Sequence, residues 1–469
     1  MRGVTEGKIS KSLKIAAVVS AFLIGIAVSR ASIAGPAIQV DAPISISSDD
    51  VDAQHFESWL AINPLDPGNR IAASIVLGRS TGVSVYTTVN SGASWVRAEP
   101  PSGGGSLFGG IDPAITFDHA GNAYLVTLGD EVRVWRSFDG GRSWQEPVPV
   151  PGGGDRPFIA CTEVGDHRTE IHVVSKAPIT IFGHRPSDWN RDFDMISLAT
   201  SNDLGRTFRF PRLLLTDYQK ELLNVVSDLL VMPDGRIIVA LQTFPPQNML
   251  GSPLTASYST IVSDDGGRTF SDPRPIASFR TYGHANEGKS LFGLGFARLA
   301  VDNSSRVTRG RLYAVWLDAI DGYYRVLAAT SEDGGRTWSN PLRIEDDAPH
   351  ADSSNPAVAV DGKGVVGVVW NDRRFDTGER CFQPYFSASI DGGKTFSKNQ
   401  IVDTRLTCPI GAEKMAPSES EFRFKNGGET QGISGLPGGG FQLAWIGGGK
   451  DGGRGTPLTA TTVHVSEPR

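Results

Sequence analysis

Ser263-Asp-Asp-Gly-Gly-Arg-Thr-Phe270 decides the fold, because it recurs. Copies stand at Ser137-Phe-Asp-Gly-Gly-Arg-Ser-Trp144, Ser201-Asn-Asp-Leu-Gly-Arg-Thr-Phe208, Ser331-Glu-Asp-Gly-Gly-Arg-Thr-Trp338 and Ser389-Ile-Asp-Gly-Gly-Lys-Thr-Phe396, with a weaker one at Thr88-Val-Asn-Ser-Gly-Ala-Ser-Trp95. The third-position side chains (Asn90, Asp139, Asp203, Asp265, Asp333 and Asp391) can accept backbone N–H bonds across a tight turn. The fifth-position glycine permits positive φ. The closing Trp or Phe is expected to start the next strand as a core anchor. Each copy therefore reads as a β-hairpin turn whose polar residues are consumed by the turn, a statement about fold rather than chemistry.

A second element precedes each turn. Residues 59–63, 113–118, 157–161, 229–234, 297–302 and 356–361 are short apolar runs, five of them ending at Asn or Asp, the form of a buried inner strand. With two further strand-like runs, one unit comprises four strands repeated about every 60 residues, which is a propeller blade. After the sixth octapeptide, residues 431–437, 441–446 and 458–465 supply three more strands and no fourth. Residues 38–46 have strand character and no blade of their own. Joining the two leaves no open sheet edge. The expected fold is an all-β propeller of seven four-stranded blades (six as the alternative), in one domain over residues 35–469, closed by the N-terminal strand joining the C-terminal blade.

Residues 1–34 read as a signal peptide. Arg2, Lys8, Lys11 and Lys14 precede an apolar run at 15–28, and Ser32-Ile33-Ala34 supplies small residues at a cleavage site. That run falls short of the roughly 20 residues a membrane helix needs, so a secreted or periplasmic protein with no membrane span after cleavage is expected. Export permits a disulfide, and Cys381 and Cys408, flanking one loop-rich stretch, are candidates to pair. Cys161 lies in an apolar run and reads as a buried, inert thiol. With 45 Lys and Arg against 51 Asp and Glu, and a net charge of −6, the chain lacks the basic footprint of a nucleic-acid partner. A monomer is expected. His284 and His350 have no metal-ligand spacing. Aspartate-rich loops could suit Ca2+, but no Asp-x-Asp-x-Asp-Gly run is present, so no cofactor is expected.

The octapeptide resembles the Asp-box of the sialidase-like, BNR-repeat proteins, and the resemblance covers essentially the whole mature chain. It implies a propeller with these turns on one face and any active site on the other. Sialidases of that family hold a substrate carboxylate with three arginines and use a tyrosine nucleophile paired with a glutamate, and an aspartate acid/base. Their early aromatic-Arg-Ile-Pro signature is absent. The nearest match is Asn69-Arg70-Ile71-Ala72, so Arg70 takes no catalytic role.

On the face opposite the turns, Arg156 opens the third blade, Arg298 interrupts an inner strand whose counterparts carry Ala114, Phe158 and Ala357, and Arg374 follows a second strand. Planar guanidiniums suit a carboxylate, which makes these three the candidate substrate clamp. Tyr324, placed in a loop of the fifth blade, and Glu287 are the candidate nucleophile and base, with Asp372 or Asp112 as the acid. The alternative for Asp372 is a structural pair with Arg373 or Arg374. The first expectation is an exported sialidase-like glycoside hydrolase (exo-alpha-sialidase type) acting on an anionic glycan or glycoconjugate. The alternatives are a non-catalytic propeller binding glycan or protein, and a polysaccharide lyase.

Overall fold

The computed structural model describes residues 36–49, 53–77, 80–101, 105–165, 167–177, 195–214, 223–244, 254–281, 296–346, 351–376, 381–408, 427–448 and 456–467. The proposed signal peptide lies outside the described residues. Every regular element described is a β-strand, and the strands form seven antiparallel sheets. Blade one is Gln54–Ile62, Arg70–Leu77, Gly82–Thr88 and Val96–Ala98; blade two is Ile111–Phe117, Ala123–Leu128, Val132–Ser137 and Val148–Pro149. Blade three is Phe158–Val164, Arg168–Ala177, Met195–Ser201 and Arg212–Leu213; blade four is Leu223–Val231, Ile237–Phe244, Leu254–Ser263 and Arg274–Thr281. Blade five is Arg298–Val301, Leu312–Ile320, Tyr323–Ser331 and Leu342–Arg343; blade six is Ser353–Val360, Val366–Asp372, Gln383–Ser389 and Gln400–Ile401. Blade seven takes Gly432–Gly435, Phe441–Ile446 and Leu458–Ser466 from the C-terminal end and its outer strand, Ala37–Val40, from the N-terminal end, with Ile38 opposite Val465.

The middle strands are buried along nearly their whole length. Val366–Asp372 and Gln383–Ser389 expose no residue, because each sheet packs a neighbouring blade on both faces, and such strands read as continuous apolar runs rather than alternating ones. Blades one and seven meet through Ser58, whose hydroxyl donates to the Ala444 carbonyl at 2.9 Å and accepts from the Gly432 amide at 3.3 Å.

The Asp-boxes join third to fourth strands in blades one to six. In blade two, Asp139 Oδ1 accepts from Ser137 Oγ (2.8 Å), the Arg142 amide (3.0 Å) and the Ser143 amide (2.9 Å), while Ser143 Oγ donates to Oδ2 at 2.5 Å. The Gly141 amide donates to Ser137 Oγ at 2.8 Å. The same set recurs around Asp265, Asp333 and Asp391.

Three features differ from the sequence reading. Positive φ is needed at the fourth position as well as the fifth: Gly140 and Gly141 have φ of 75° and 85°, and in two boxes the fourth position is a strained Leu204 (60°) or Ser91 (61°). The closing aromatic does not start the next strand. In blades two to six the outer strand begins several residues later, and only Trp144 of the six aromatics is fully buried. Finally, the box is more than a turn, because its backbone carbonyls clamp the preceding blade. Asn69 Nδ2 (2.8 Å) and Thr87 Oγ1 (3.0 Å) of blade one donate to the Gly140 carbonyl of blade two. Arg212 of blade three reaches the Arg268 carbonyl of blade four at 2.7 Å, and Arg311 of blade five the Gly392 carbonyl of blade six at 2.9 Å.

A Cβ on Gly141 would stand 2.5 Å from Ile71 Cδ1 of blade one. Gly141→Ala is therefore expected to cost about 2 kcal/mol or more in denaturant unfolding, from the left-handed conformation and the clash together. Burial tends to raise the pKa of Asp203 and Asp333. Donors from Thr207 and Thr337, Ser201 and Ser331, and the Arg206 and Arg336 amides outweigh it and bring both carboxyls down to about 2. An aspartate with a depressed native pKa is protonated first in the unfolded chain. Its contribution is thus complete above the ordinary value near 4 and is lost as pH falls toward about 2. Thermal melts should show Tm declining through that window, and Asp203→Asn with Asp333→Asn should flatten the decline.

Candidate functional site

The inner strands of all seven blades enclose an axial cavity of about 440 Å3. Its lining runs from Trp59, Asp228, Arg298 and Gln431 to Pro64 and Asn303 near the Asp-box end. Trp59 organises the entry. Its Nε1 donates to the Ile115 carbonyl of blade two at 2.9 Å, and its ring meets Phe158 of blade three edge-on at 5.9 Å. The Arg298 guanidinium of blade five lies over the Trp59 ring, 4.4 Å from its centroid.

Arg298 is held by Asp228, which sits at a β-bulge of blade four. Asp228 Oδ2 accepts from Arg298 Nε (3.0 Å) and the Leu299 amide (2.8 Å), and Oδ1 from the Leu229 amide (2.9 Å). A guanidinium inside an inner strand needs such a partner. Arg298 borders the cavity, and its Nη1 is buried without a hydrogen-bond partner among the described residues. Cys161 also lines the cavity, as a free thiol whose pKa burial pushes well above the ordinary value. This is an unreactive protonation state.

Beside Trp59 lies a smaller pocket of about 30 Å3 bounded by Glu57, Asp112, Arg156, Phe158 and Glu429. Arg156 forms an ion pair with Glu429 and stacks 3.5 Å from the centroid of Phe296. Glu57, Asp112, Arg156 and Asn355 all have positive φ, between 51° and 57°. Among the described residues, no group of three His, Cys, Asp or Glu side chains could hold a metal ion.

Arg156 and Arg298 therefore border the same aromatic pair. Arg374 does not join them: its Nε and Nη2 hold Asp372 at 2.9 and 2.8 Å, its Nη1 holds Asp346 at 3.1 Å, and it lies 4.2 Å from the Tyr385 centroid. Asp372 also accepts from Trp370 Nε1 at 3.0 Å. The structural pairing of Asp372 with Arg374 is thus present, and neither residue lines the axial cavity. Tyr324 belongs to the third strand of blade five, not to a loop, because Asp321 and Gly322 alone make the preceding turn. It has no exposed surface, and its hydroxyl lies 2.9 Å from Thr281 Oγ1 of blade four. Glu287, His284 and His350 lie outside the described residues. Cys381 and Cys408 form a disulfide joining two connections of blade six.

Sequence reasoning missed Trp59, Asp228 and Glu429. Asp228 was detectable, since it interrupts Val225-Val226-Ser227-Asp228-Leu229-Leu230-Val231 as Arg298 interrupts its own strand. Glu429 carried no local signal. The faces also differ in chain length. The connections 178–194, 245–253, 282–297 and 402–431 all leave from the face opposite the Asp-boxes, whereas most turns on the Asp-box face are short.

A family model described as "BNR repeat-like domain" matches residues 129–404. No curated protein matches the chain. Solved structures similar to it include the Hadza microbial sialidase Hz136, at 14% identity over 85% of this chain and 73% of that one, with a TM-score of 0.44. The NanB sialidase from Streptococcus pneumoniae is 14% identical over 91% of this chain and 70% of that one, with a TM-score of 0.42. An alpha-L-arabinanase of Penicillium chrysogenum, complexed with arabinobiose, is 13% identical over 75% and 92%, with a TM-score of 0.44.

Removing Asp228 leaves a largely buried guanidinium and two amides without their acceptor. Asp228→Ala is expected to cost roughly 3–5 kcal/mol in denaturant unfolding, and Asp228→Ala with Arg298→Met to recover part of it. An unchanged midpoint in the single variant would show the pair to be dispensable.

Proposed function

From membership of the BNR repeat-like domain family, to which this chain belongs, we propose that it is an exported propeller that binds an anionic glycan at the entry to its axis without hydrolysing it. The observation that carries this reading is the separation of Tyr324 from Arg298. The tyrosine that the sialidase pattern would cast as nucleophile, Tyr324, is buried between blades four and five and hydrogen-bonded to Thr281, while the guanidinium that borders the cavity stacks on Trp59. A nucleophile must come within near-attack distance of the bound anomeric carbon, and a tyrosine enclosed in a blade wall does not.

Recognition is supported by other features of the entry. Arg298 lines the cavity with its guanidinium oriented by a fixed carboxylate, and it lies beside an aromatic ring on which a sugar face can stack. The glycan is expected to be short or terminal, since the cavity is narrow and bordered by backbone on every side. The N-terminal basic and apolar segments support the export in this reading.

The test pairs turnover with binding. Purified protein is assayed on fluorogenic sialosides and on uronate oligomers, with ultraviolet absorbance reporting any unsaturated lyase product. In parallel, short carboxylate-bearing glycans are titrated against wild type and Arg298→Ala. Expected are no turnover and a loss of affinity of roughly tenfold or more in the variant. Sialoside turnover abolished by Tyr324→Phe would overturn the binding reading in favour of the hydrolase, and an ultraviolet-absorbing product would favour the lyase.

A further inference from the structure

The Asp-box face carries a second pattern that the turn does not use. The sixth position of five successive boxes, in blades two to six, is Arg142, Arg206, Arg268, Arg336 and Lys394. All five are exposed. The turn takes only their backbone amides: those of Arg142, Arg268, Arg336 and Lys394 donate to the box aspartates. Arg142 also donates through Nη1 to the Asp139 carbonyl at 2.9 Å. The side chains of the other four have no hydrogen bond or ion pair among the described residues.

The acids of the boxes are committed elsewhere. The box aspartates accept from the serine and threonine hydroxyls and amides of their own turns. The exposed second-position acids are matched to other arginines, Asp264 to Arg236 and Glu332 to Arg311. The sixth-position cations are the remainder, delivered one per blade along an arc by the symmetry of the fold, on a chain whose net charge is negative.

We propose that the Asp-box face binds a linear acidic polysaccharide, with successive anionic groups paired to the sixth-position cations of successive blades. One such contact is weak, being exposed and screened. Several in register along one polymer raise the affinity through effective concentration. The spacing of one cation per blade favours a polymer with separated charges over duplex DNA, which carries a charge every ~1.7 Å and demands dense cations. An anionic membrane also wants apolar side chains inserted beside the cations. Here the closing aromatics of the boxes are buried or half-buried against the blades, and the large apolar side chains exposed in turns on this face, among them Leu65, Phe138, Phe210 and Val307, are spread over four different blades. This surface is independent of the axial entry and lies on the other face.

The test measures binding of heparin and of polyuronate chains, long and tetrasaccharide-length, across a salt series. Wild type is compared with the triple variant Arg206→Ser, Arg268→Ser, Arg336→Ser, with the corresponding triple lysine variant, and with Arg298→Ala. Thermal melts confirm that all four remain folded. Expected are binding that weakens steeply with salt, a tenfold or greater loss in the serine variant with the salt slope reduced by roughly one per cation removed, and recovery with lysine. Arg298→Ala should bind the long chains as wild type does, and tetrasaccharides should bind far more weakly than long chains. The proposal is overturned by any of four results: equal binding by the serine variant, no polysaccharide binding at low salt, dependence on Arg298, or tighter binding of anionic vesicles or duplex DNA than of either polysaccharide.

Discussion

The rest of the structure depends on a carboxylate folded back into its own turn. Placing two consecutive residues at positive φ leaves several amides pointing into the hairpin, and the third-position aspartate accepts them together with two hydroxyls. Because the turn's donors are satisfied internally, its carbonyls face outward and remain available. The preceding blade uses them, through Asn69 and Thr87 at Gly140, Arg212 at Arg268, and Arg311 at Gly392. A local turn motif thereby becomes the unit that fixes the relation between blades. Blade seven has no box for a topological reason. Its third and fourth strands come from opposite ends of the chain, so no hairpin turn can join them.

That constraint divides the molecule into two faces. A turn held by short hydrogen bonds in blades one to six leaves little room for insertion on the Asp-box side, so the long connections collect on the other. Strain collects there too. Glu57, Asp112, Arg156 and Asn355 occupy left-handed conformations near the starts of four inner strands, and the last three each precede a proline, which narrows their allowed space further. Such residues cost on the order of 1–3 kcal/mol each and persist only where the surroundings over-determine them. Three of them, Glu57, Asp112 and Arg156, line the small pocket beside Trp59.

The fold was legible because its determinants are local. The six octapeptides, the apolar runs before them, and the three unpaired strands at the C-terminal end specify blade number without reference to any distant contact. The candidate site was legible only in part. Arg298 stood out against Ala114, Phe158 and Ala357, and its need for a partner followed from burial alone. Which residue answered that need depended on a bulge in the preceding blade, a register detail that spacing does not encode. Tyr324 was misplaced for a related reason. A turn of only Asp321 and Gly322 puts it in a strand, where pleat parity sends it into the wall between blades, and a shift of one residue would have reversed its direction. Arg374 and Asp372 were judged by proximity to the expected rim, but Arg374 pairs with Asp372, reaches Asp346 in the connection from blade five and stacks on Tyr385, away from the axial cavity.

Seven inner strands around one axis stand farther apart than six would, and their short side chains cannot fill the centre. The residual volume of about 440 Å3 is the geometric remainder of blade number. Only large side chains reach across it, which gives Trp59 its place: it bonds blade two, meets blade three edge-on and carries the guanidinium of blade five. The donor at the axis is therefore positioned by Trp59 of blade one, itself held by blades two and three, and by Asp228 of blade four. Its orientation is set by the closure of the ring itself, so the same blade count that opens the cavity also determines what a ligand entering it meets first.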